Sequence, residues 1–312
     1  MKVSRGLPTS PFPPHPVLTI GNFDGQHLGH RYLLSTVINR ARECGGTSMV
    51  LTFEPHPVQV LNPHVDFRFL TTPEEKLQWF ESEGVEHLVI LEFTHSFAAL
   101  SPQQFVYSIL RDGLGVRDLF VGEHFVFGKG RAGTTSTLVQ LGRESNFQVH
   151  LLKPLGAGDQ VVSSTRIRKL IQQGKMEEAQ ECLGRPYALQ GRVIAGDHRG
   201  QALGCRTANL RLPARRVVPL DGIYATRMFW KGKAYDSVSY IGTRPTFGPG
   251  ERLLEVHLLD EDCALYGEDV RVCFLKYLRG DEVFQSAEEL SACMAVDIER
   301  ARQVFQKAQT QN

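Results

Sequence analysis

Between residues 17 and 152, short β-branched apolar runs alternate with stretches of helical period, and this alternation constrains the fold more than any other feature. Residues 17–20, 48–53, 87–93, 118–121 and 148–152 read as strands, and residues 28–41, 74–82 and 102–110 as helices. The strands are apolar almost throughout, which suits burial on both faces. Strands alternating with helices predict a parallel sheet with helices on each side. Ser164 and Thr165 can cap a further helix running through Leu170 to Gly174. A short helix over 176–183 follows, and Gly184 and Pro186 stop it. A first domain over 1–184 and a second over 185–312 are expected, matching a prior of ~150 residues per domain.

After that boundary the pattern changes. Residues 193–195, 223–229, 237–241, 253–259 and 270–277 read as strands separated by Gly, Pro and Asp, with no long helix before Ser286. That spacing predicts a small antiparallel barrel. Ser286 and Glu289 form a capping box, and Leu290, Met294, Ile298, Ala301 and Phe305 then recur at helical spacing. A net charge of +1 provides no broad basic field for nucleic acid. No apolar run approaches the ~18 residues of a membrane span, and the proline-rich start has no export signal, reading as a stiff extended lead-in. Six cysteines without a C-x-x-C pair read as reduced thiols of a cytoplasmic protein, with no structural zinc site.

The strongest chemical signal is the run from Gly21 to His30, G-N-F-D-G-Q-H-L-G-H, placed between the first strand and the first helix. Ligands of open α/β sheets bind at the carboxyl ends of strands. Gly21, Asn22, Phe23, Asp24 and Gly29 are candidate ATP contacts there. His27 and His30 share a helix face beside its N-terminus, where they can hold a polyphosphate. A second signal, V-S-S-T-R-I-R, supplies Ser163, Ser164 and Thr165 for phosphate, with Arg166 and Arg168 to neutralise a leaving pyrophosphate. Two residues apart on a helix, the arginines cannot both face one point, so one serves structure. Gly128, Gly130 and Gly133 spell G-x-G-x-x-G, but no clean strand leads directly into them, which weakens a nicotinamide-binding reading.

These segments resemble the H-x-G-H nucleotidyltransferase superfamily. The run T-F-E-P-H-P over 52–57, and V-G-E-H-F-V-F-G-K-G-R over 121–131, narrow this to the FAD synthetase module of the bacterial bifunctional riboflavin kinase/FAD synthetase family. The resemblance implies adenylyl transfer from ATP to FMN, giving FAD and pyrophosphate. Catalysis then falls to His27, His30 and Arg168, and flavin binding to Glu54, His56, Phe125, Phe127 and Arg131. Such chemistry needs no base, because a phosphate monoester with a second pKa of about 6 is largely a dianion at neutral pH.

The second half resembles the riboflavin kinase module of the same family. Gly196 and Gly200 flank a loop whose backbone can approach phosphate. Thr207 and Asn209, at i and i+2, share a face and are suitable hard ligands for Mg²⁺ bound with ATP. I-G-T-R-P-T-F over 241–247 and L-E-V-H over 254–257 follow. The resemblance implies a closed six-stranded barrel that phosphorylates riboflavin, with Asp281 as proton acceptor in L-R-G-D-E-V-F. The chain departs from the family pattern at Asp281 (usually Glu), Arg206 (usually Pro), His124 (usually Asp) and Val126 (usually Arg). The expected whole is an α/β parallel-sheet nucleotidyltransferase domain followed by an antiparallel β-barrel with a C-terminal helix. Its substrates are riboflavin, FMN and ATP, with neither nucleic acid nor membrane as partner. An alternative leaves one half impaired, giving a monofunctional FAD synthetase or a flavin-binding protein.

Overall fold

The computed structural model describes residues 1–9, 11–157, 160–194, 207–243, 252–260 and 265–309. Contacts divide the chain into two compact units, Met1–Ser164 and Thr165–Asn312.

The first unit is built on six strands: β1 (Lys2–Arg5), β2 (Pro16–Ile20), β3 (Thr47–Glu54), β4 (His87–Glu92), β5 (Asp118–Gly122) and β6 (Gln148–Leu152). They lie in the order β1-β4-β3-β2-β5-β6, and every pairing is parallel. All five residues of β2 are buried, as its central place requires. Leu18, Ile20, Met49 and Leu51 face a core shared with Val106, Leu110, Leu138 and Leu141. Val50, Leu88 and Ile90 face another, with Phe23, Leu34, Trp79 and Phe80.

The predicted strands and helices of this half are present, and further elements join them. Residues 2–5 of the extended lead-in form the edge strand β1, pairing Lys2 with His87 and Arg5 with Ile90. Four residues are too few to declare a period, so this strand exists through its partner. A helix over Thr135–Glu144 crosses from β5 to β6, as a parallel pair requires. Thr134 caps it by accepting from Thr137 N at 3.3 Å. A two-stranded ribbon, β7 (Gly156–Ala157) and β8 (Gln160–Val161), ends the unit.

In the second unit, helices Ser164–Gln172 and Met176–Leu183 precede a closed barrel. Its strands are β9 (Tyr187–Ile194), β10 (Thr207–Arg211), β11 (Gly222–Trp230), β12 (Lys233–Gly242), β13 (Leu253–Leu258) and β14 (Asp269–Arg279), in the order β10-β13-β12-β11-β14-β9. Every pairing is antiparallel. The helical pair packs on this barrel: Glu177 bonds Lys276 Nζ at 2.8 Å, and a Cβ on Gly174 would touch the Tyr277 ring. Contacts therefore divide the chain twenty residues before the expected boundary at 184.

The C-terminal helix, Ala287–Gln309, sets Ala301 and Phe305 against Ala225 and Leu259 on the outside of the barrel. Arg279 at the end of β14 forks onto Asp297 of that helix at 3.0 and 2.8 Å. No described helix is long and apolar enough to cross a membrane.

Candidate active sites

The chain leaves β2 at Ile20 into a tight turn. Phe23, Gly25 and Gln26 all have positive φ, and a Cβ on Gly25 would come within 2.6 Å of Leu70. Glycine is therefore required there twice over, by backbone and by space. The Asp24 carboxylate accepts from Leu70 N, from Thr71 N and from the Thr71 hydroxyl, each at 3.0 Å. Gln26 donates to Glu75 O at 2.8 Å, and Ser164 Oγ donates to Asp24 O at 2.7 Å. Two candidate ATP contacts, Asp24 and Ser164, thus brace the turn. Phe23 is 1% exposed, packed against Phe80 and His30, so only its backbone can meet a ligand.

His27 caps the helix Leu28–Glu43, its Nδ1 accepting from His30 N at 3.2 Å. That bond places the His27 proton on Nε2. The two imidazoles stack with centroids 3.6 Å apart and planes 16° from parallel. A Cβ on Gly29 would sit 3.2 Å from His27 Nδ1, which explains glycine between them. His30 Nδ1 is shut from water and has no hydrogen-bond partner among the described residues. Burial, and then the neighbouring His27, hold the His30 pKa well below its ordinary value. His30 is thus neutral at physiological pH, and a polyphosphate beside it would favour its protonation.

The expected flavin residues fall into separate groups. On β3, Phe53 and Glu54 point to opposite faces. Phe53 begins a run of ring contacts, Phe53–Phe97, Phe97–Phe105, Phe105–Phe127 and Phe127–Phe125, with centroids 5.4–6.1 Å apart. This run follows the carboxyl ends of β3 and β5. The sequence reading chose Phe125 and Phe127; Phe53 entered it within a strand and the T-F-E-P-H-P run, Phe105 within a helix pattern, and Phe97 within neither. Glu54 pairs with Arg5 at 2.7 Å and lines a small cavity of about 90 Å³ with Thr52 and Lys76. His56 caps the short helix Pro57–Leu61 and stacks on Phe67 at 5.0 Å. Arg131 is exposed on a turn at positive φ. Gly128 and Gly130 belong to that turn, and the helix after it starts from Thr134, so the three glycines do not form a strand–turn–helix phosphate loop.

In the second unit, Thr165 is exposed and Arg168 half-buried on the helix Ser164–Gln172. Arg166 lies near Cys182 and acts on its thiol, so this is the arginine turned toward the helical pair. Gly196, Gly200 and Arg206 lie outside the described residues.

Thr207 and Asn209 stand on the outer face of β10, while Ala208 and Leu210 face Val256 and Leu254 inside the barrel. Strand register then builds a row. Asn209, 3% exposed, pairs with Glu255 of β13; Glu255 pairs with Tyr240 of β12; Tyr240 pairs with Ile223 of β11. Beside it, Thr207 pairs with His257. Asp281 enters from beyond β14, its Oδ2 accepting from Tyr240 OH at 2.8 Å. Burial, and then that bond, push the Tyr240 phenol upward, so it stays a donor at physiological pH. Glu255 and Tyr240 were not chosen from the sequence as site residues. The available signal was the alternation in L-E-V-H, which puts Glu255 and His257 on one face.

The chain matches the FAD synthetase family model over residues 10–166 and the riboflavin kinase model over 183–305. It is 38% identical over 308 residues to the bifunctional riboflavin kinase/FMN adenylyltransferase of Escherichia coli (strain K12), covering 98% of each chain. The protein of the same name from Bacillus subtilis (strain 168) is 35% identical, covering 93% of this chain and 92% of that one. A crystal structure from Streptococcus pneumoniae, titled a macrolide-efflux protein, superimposes with a TM-score of 0.86 at 29% identity, covering 97% of this chain and 99% of that one. With both models matched in one chain and relatives matched almost end to end, the chain belongs to the bifunctional riboflavin kinase/FMN adenylyltransferase family.

Proposed function

We propose that the stacked His27–His30 pair carries adenylyl transfer and that the row Asn209–Glu255 carries riboflavin phosphorylation. As a member of its family, the chain converts riboflavin to FMN and FMN to FAD, each step consuming ATP. The presence of both modules does not favour the alternative of one impaired half.

In the adenylyl step the FMN phosphate, already a dianion, attacks the ATP α-phosphate in line, and pyrophosphate leaves. The protein aligns the reactants and stabilises charge. His27, with its proton on Nε2, and His30 meet the phosphates, with Gly21, Asn22 and Gly29 allowing close backbone approach. The V-S-S-T-R-I-R motif assigns Ser163, Thr165 and Arg168 to the leaving group. Ser164 braces the turn through Asp24 O, and Arg166 lies near Cys182. The aromatic run from Phe53 to Phe125 gives the flat isoalloxazine ring a shelf to lie on. For this function the division at residue 184 is kept, because the segment 163–168 serves the first step.

In the kinase step an alcohol attacks, so a proton acceptor is needed. Glu255 lies directly across from Asn209, whereas Asp281 lies beyond the end of β14, so proton removal is assigned to Glu255. Thr207 and Asn209 present hard oxygens on one face, a donor set that fits Mg²⁺. Among the described residues no group of three His, Cys, Asp or Glu could hold a metal. The ion would therefore arrive with ATP, where it neutralises phosphate charge. Dependence on ATP supports a cytoplasmic setting.

The test is a pair of incubations with ATP and Mg²⁺, one from riboflavin and one from FMN, with products separated by chromatography. FAD from both is the expected result. FAD from FMN alone would leave only the first half working, and neither product from either would overturn the reading.

A further inference from the structure

The row that carries Asn209 and Glu255 continues to Tyr240, one strand further on. Residues paired across neighbouring strands share a face about 4.8 Å apart. The half-buried Tyr240 ring lies over Gly242 of the same strand, where any Cβ would overlap the phenol oxygen. Glycine at 242 thus lets the ring run along β12 to the strand end, and there it meets Asp281. The phenol donates to Asp281 Oδ2 at 2.8 Å, while Asp281 Oδ1 accepts from Glu282 N at 3.1 Å.

Asp281 belongs to residues 280–286, which join β14 to the C-terminal helix without regular structure. Both ends of this segment are tied down. Arg279, clamped by Asp297, donates to Gly280 O at 3.0 Å, and its guanidinium lies 5.7 Å from the Phe284 ring centroid. Gln285 N donates to Glu289 at 2.9 Å. Among the described residues, Tyr240–Asp281 is the one hydrogen bond linking the middle of this segment to the strand row. The surrounding carboxylates, Glu255 and Asp221, reinforce the protonated phenol and so the donor direction of that bond.

We propose that Tyr240 is a positioning residue for riboflavin phosphorylation: its phenol holds Asp281 and, through it, seats residues 280–286 beside the row bearing Asn209 and Glu255. Asp281 is then a structural acceptor, and the chemistry of proton removal lies elsewhere in the row. An acceptor alcohol must be held within a fraction of an ångström to attack efficiently. A segment free to swing at the edge of the row loosens that alignment.

The proposal rests on the kinase reading, and adenylylation of FMN by the same chain is its internal control. The experiment uses the full chain with four changes: Tyr240→Phe, Asp281→Ala, the two combined, and Asp281→Asn. Riboflavin phosphorylation is followed for kcat and KM across pH, FMN adenylylation is measured in parallel, and Trp230 fluorescence checks that the barrel is folded. Tyr240→Phe and Asp281→Ala should each lower kcat/KM for riboflavin about tenfold, and the double variant no further. Asp281→Asn, whose amide oxygen still accepts from the phenol, should stay within about threefold of the parent with an unchanged pH profile. FMN adenylylation should be unaffected throughout.

A harmless Tyr240→Phe overturns the proposal. So does an Asp281→Asn variant as poor as Asp281→Ala with an altered pH profile, which would make Asp281 the proton acceptor. A parent chain that makes FAD from FMN but no FMN from riboflavin removes the kinase reading itself, a result separate from either.

Discussion

The sheet unit draws its leading site from one run of neighbouring residues, 21–30, whereas the barrel draws its row from β10, β13 and β12. In the first, a turn bent by positive φ at three positions is held by loops that return to it through Asp24, Gln26 and Ser164. In the second, no turn matters as much as strand register, which alone puts Glu255 opposite Asn209. A site made from a turn is fixed by local conformation. A site made from register is fixed by every pairing around the barrel, and a slip of one residue would turn it inward.

The sharpest way to break this comparison is to remove one chemistry and keep the other. His30→Ala should lower FMN adenylylation by about 100–1000-fold, the scale of a lost charge-stabilising group. FMN formation from riboflavin should continue, and FMN should accumulate in a riboflavin incubation. Loss of both products would show that the two sites are not separable. Next in size, Glu255→Gln should lower riboflavin phosphorylation by about a hundredfold or more, the usual contribution of a general base. Adenylylation of supplied FMN should remain, and a Glu255→Gln chain with normal kinase rate would return the role to Asp281.

These two sites also differ in how far they could be read from the sequence. G-N-F-D-G-Q-H-L-G-H carries its own turn chemistry, so the place of His27 and His30 at a helix start was legible, although the bracing role of Asp24 depends on Leu70 and Thr71 and was not visible. Thr207 and Asn209 were found because a spacing of two needs only an extended strand. Glu255 and Tyr240 were not, since their place depends on pairings between strands distant in sequence. The same reason hid most of β9, of which only residues 193–194 lay in an expected strand, because Gly191 breaks the pattern: its bare Cα lets the Leu210 side chain of β10 close to about van der Waals contact with the Cβ position, 3.3 Å. The helix Thr135–Glu144 opens with Thr and Ser and contains Gly142, weak helix formers, and so went unread although Leu138, Leu141 and Gly142 recur at helical spacing. The layered sheet, the barrel and the last helix, by contrast, followed from patterning alone.

Stability gives a finer comparison, because each unit holds one of the two tryptophans, Trp79 and Trp230. Trp79→Phe leaves fluorescence reporting the barrel, and Trp230→Phe leaves it reporting the sheet unit. In the barrel, Arg279 and Asp297 are paired at 13% and 3% side-chain exposure. Asp297→Ala strands a buried guanidinium and should cost about 3–5 kcal/mol in urea unfolding of the barrel reporter. The sheet reporter should move far less. Equal shifts in both would mean that the units unfold as one.

The corresponding charge in the sheet unit is Asp118, at the amino end of β5, with a side chain 2% exposed. It accepts from His15 Nε2 at 2.7 Å and His150 Nε2 at 2.6 Å, and Arg40 lies 3.5 Å away. Burial works to raise the Asp118 pKa, but the two hydrogen bonds and the Arg40 charge outweigh it and hold the carboxyl below its ordinary value. A lowered folded pKa means that the carboxylate's stabilisation is complete above the unfolded value, about 3.9, and is lost as pH falls through the folded one. Asp118→Asn should therefore destabilise the sheet reporter by about 2 kcal/mol at neutral pH, the scale of hydrogen bonds to a charged group. The gap between parent and variant should hold steady down to about pH 5 and close below about pH 4, where the parent loses its own charge. A gap that stays constant into strong acid would show that Asp118 acts there by shape and not by charge.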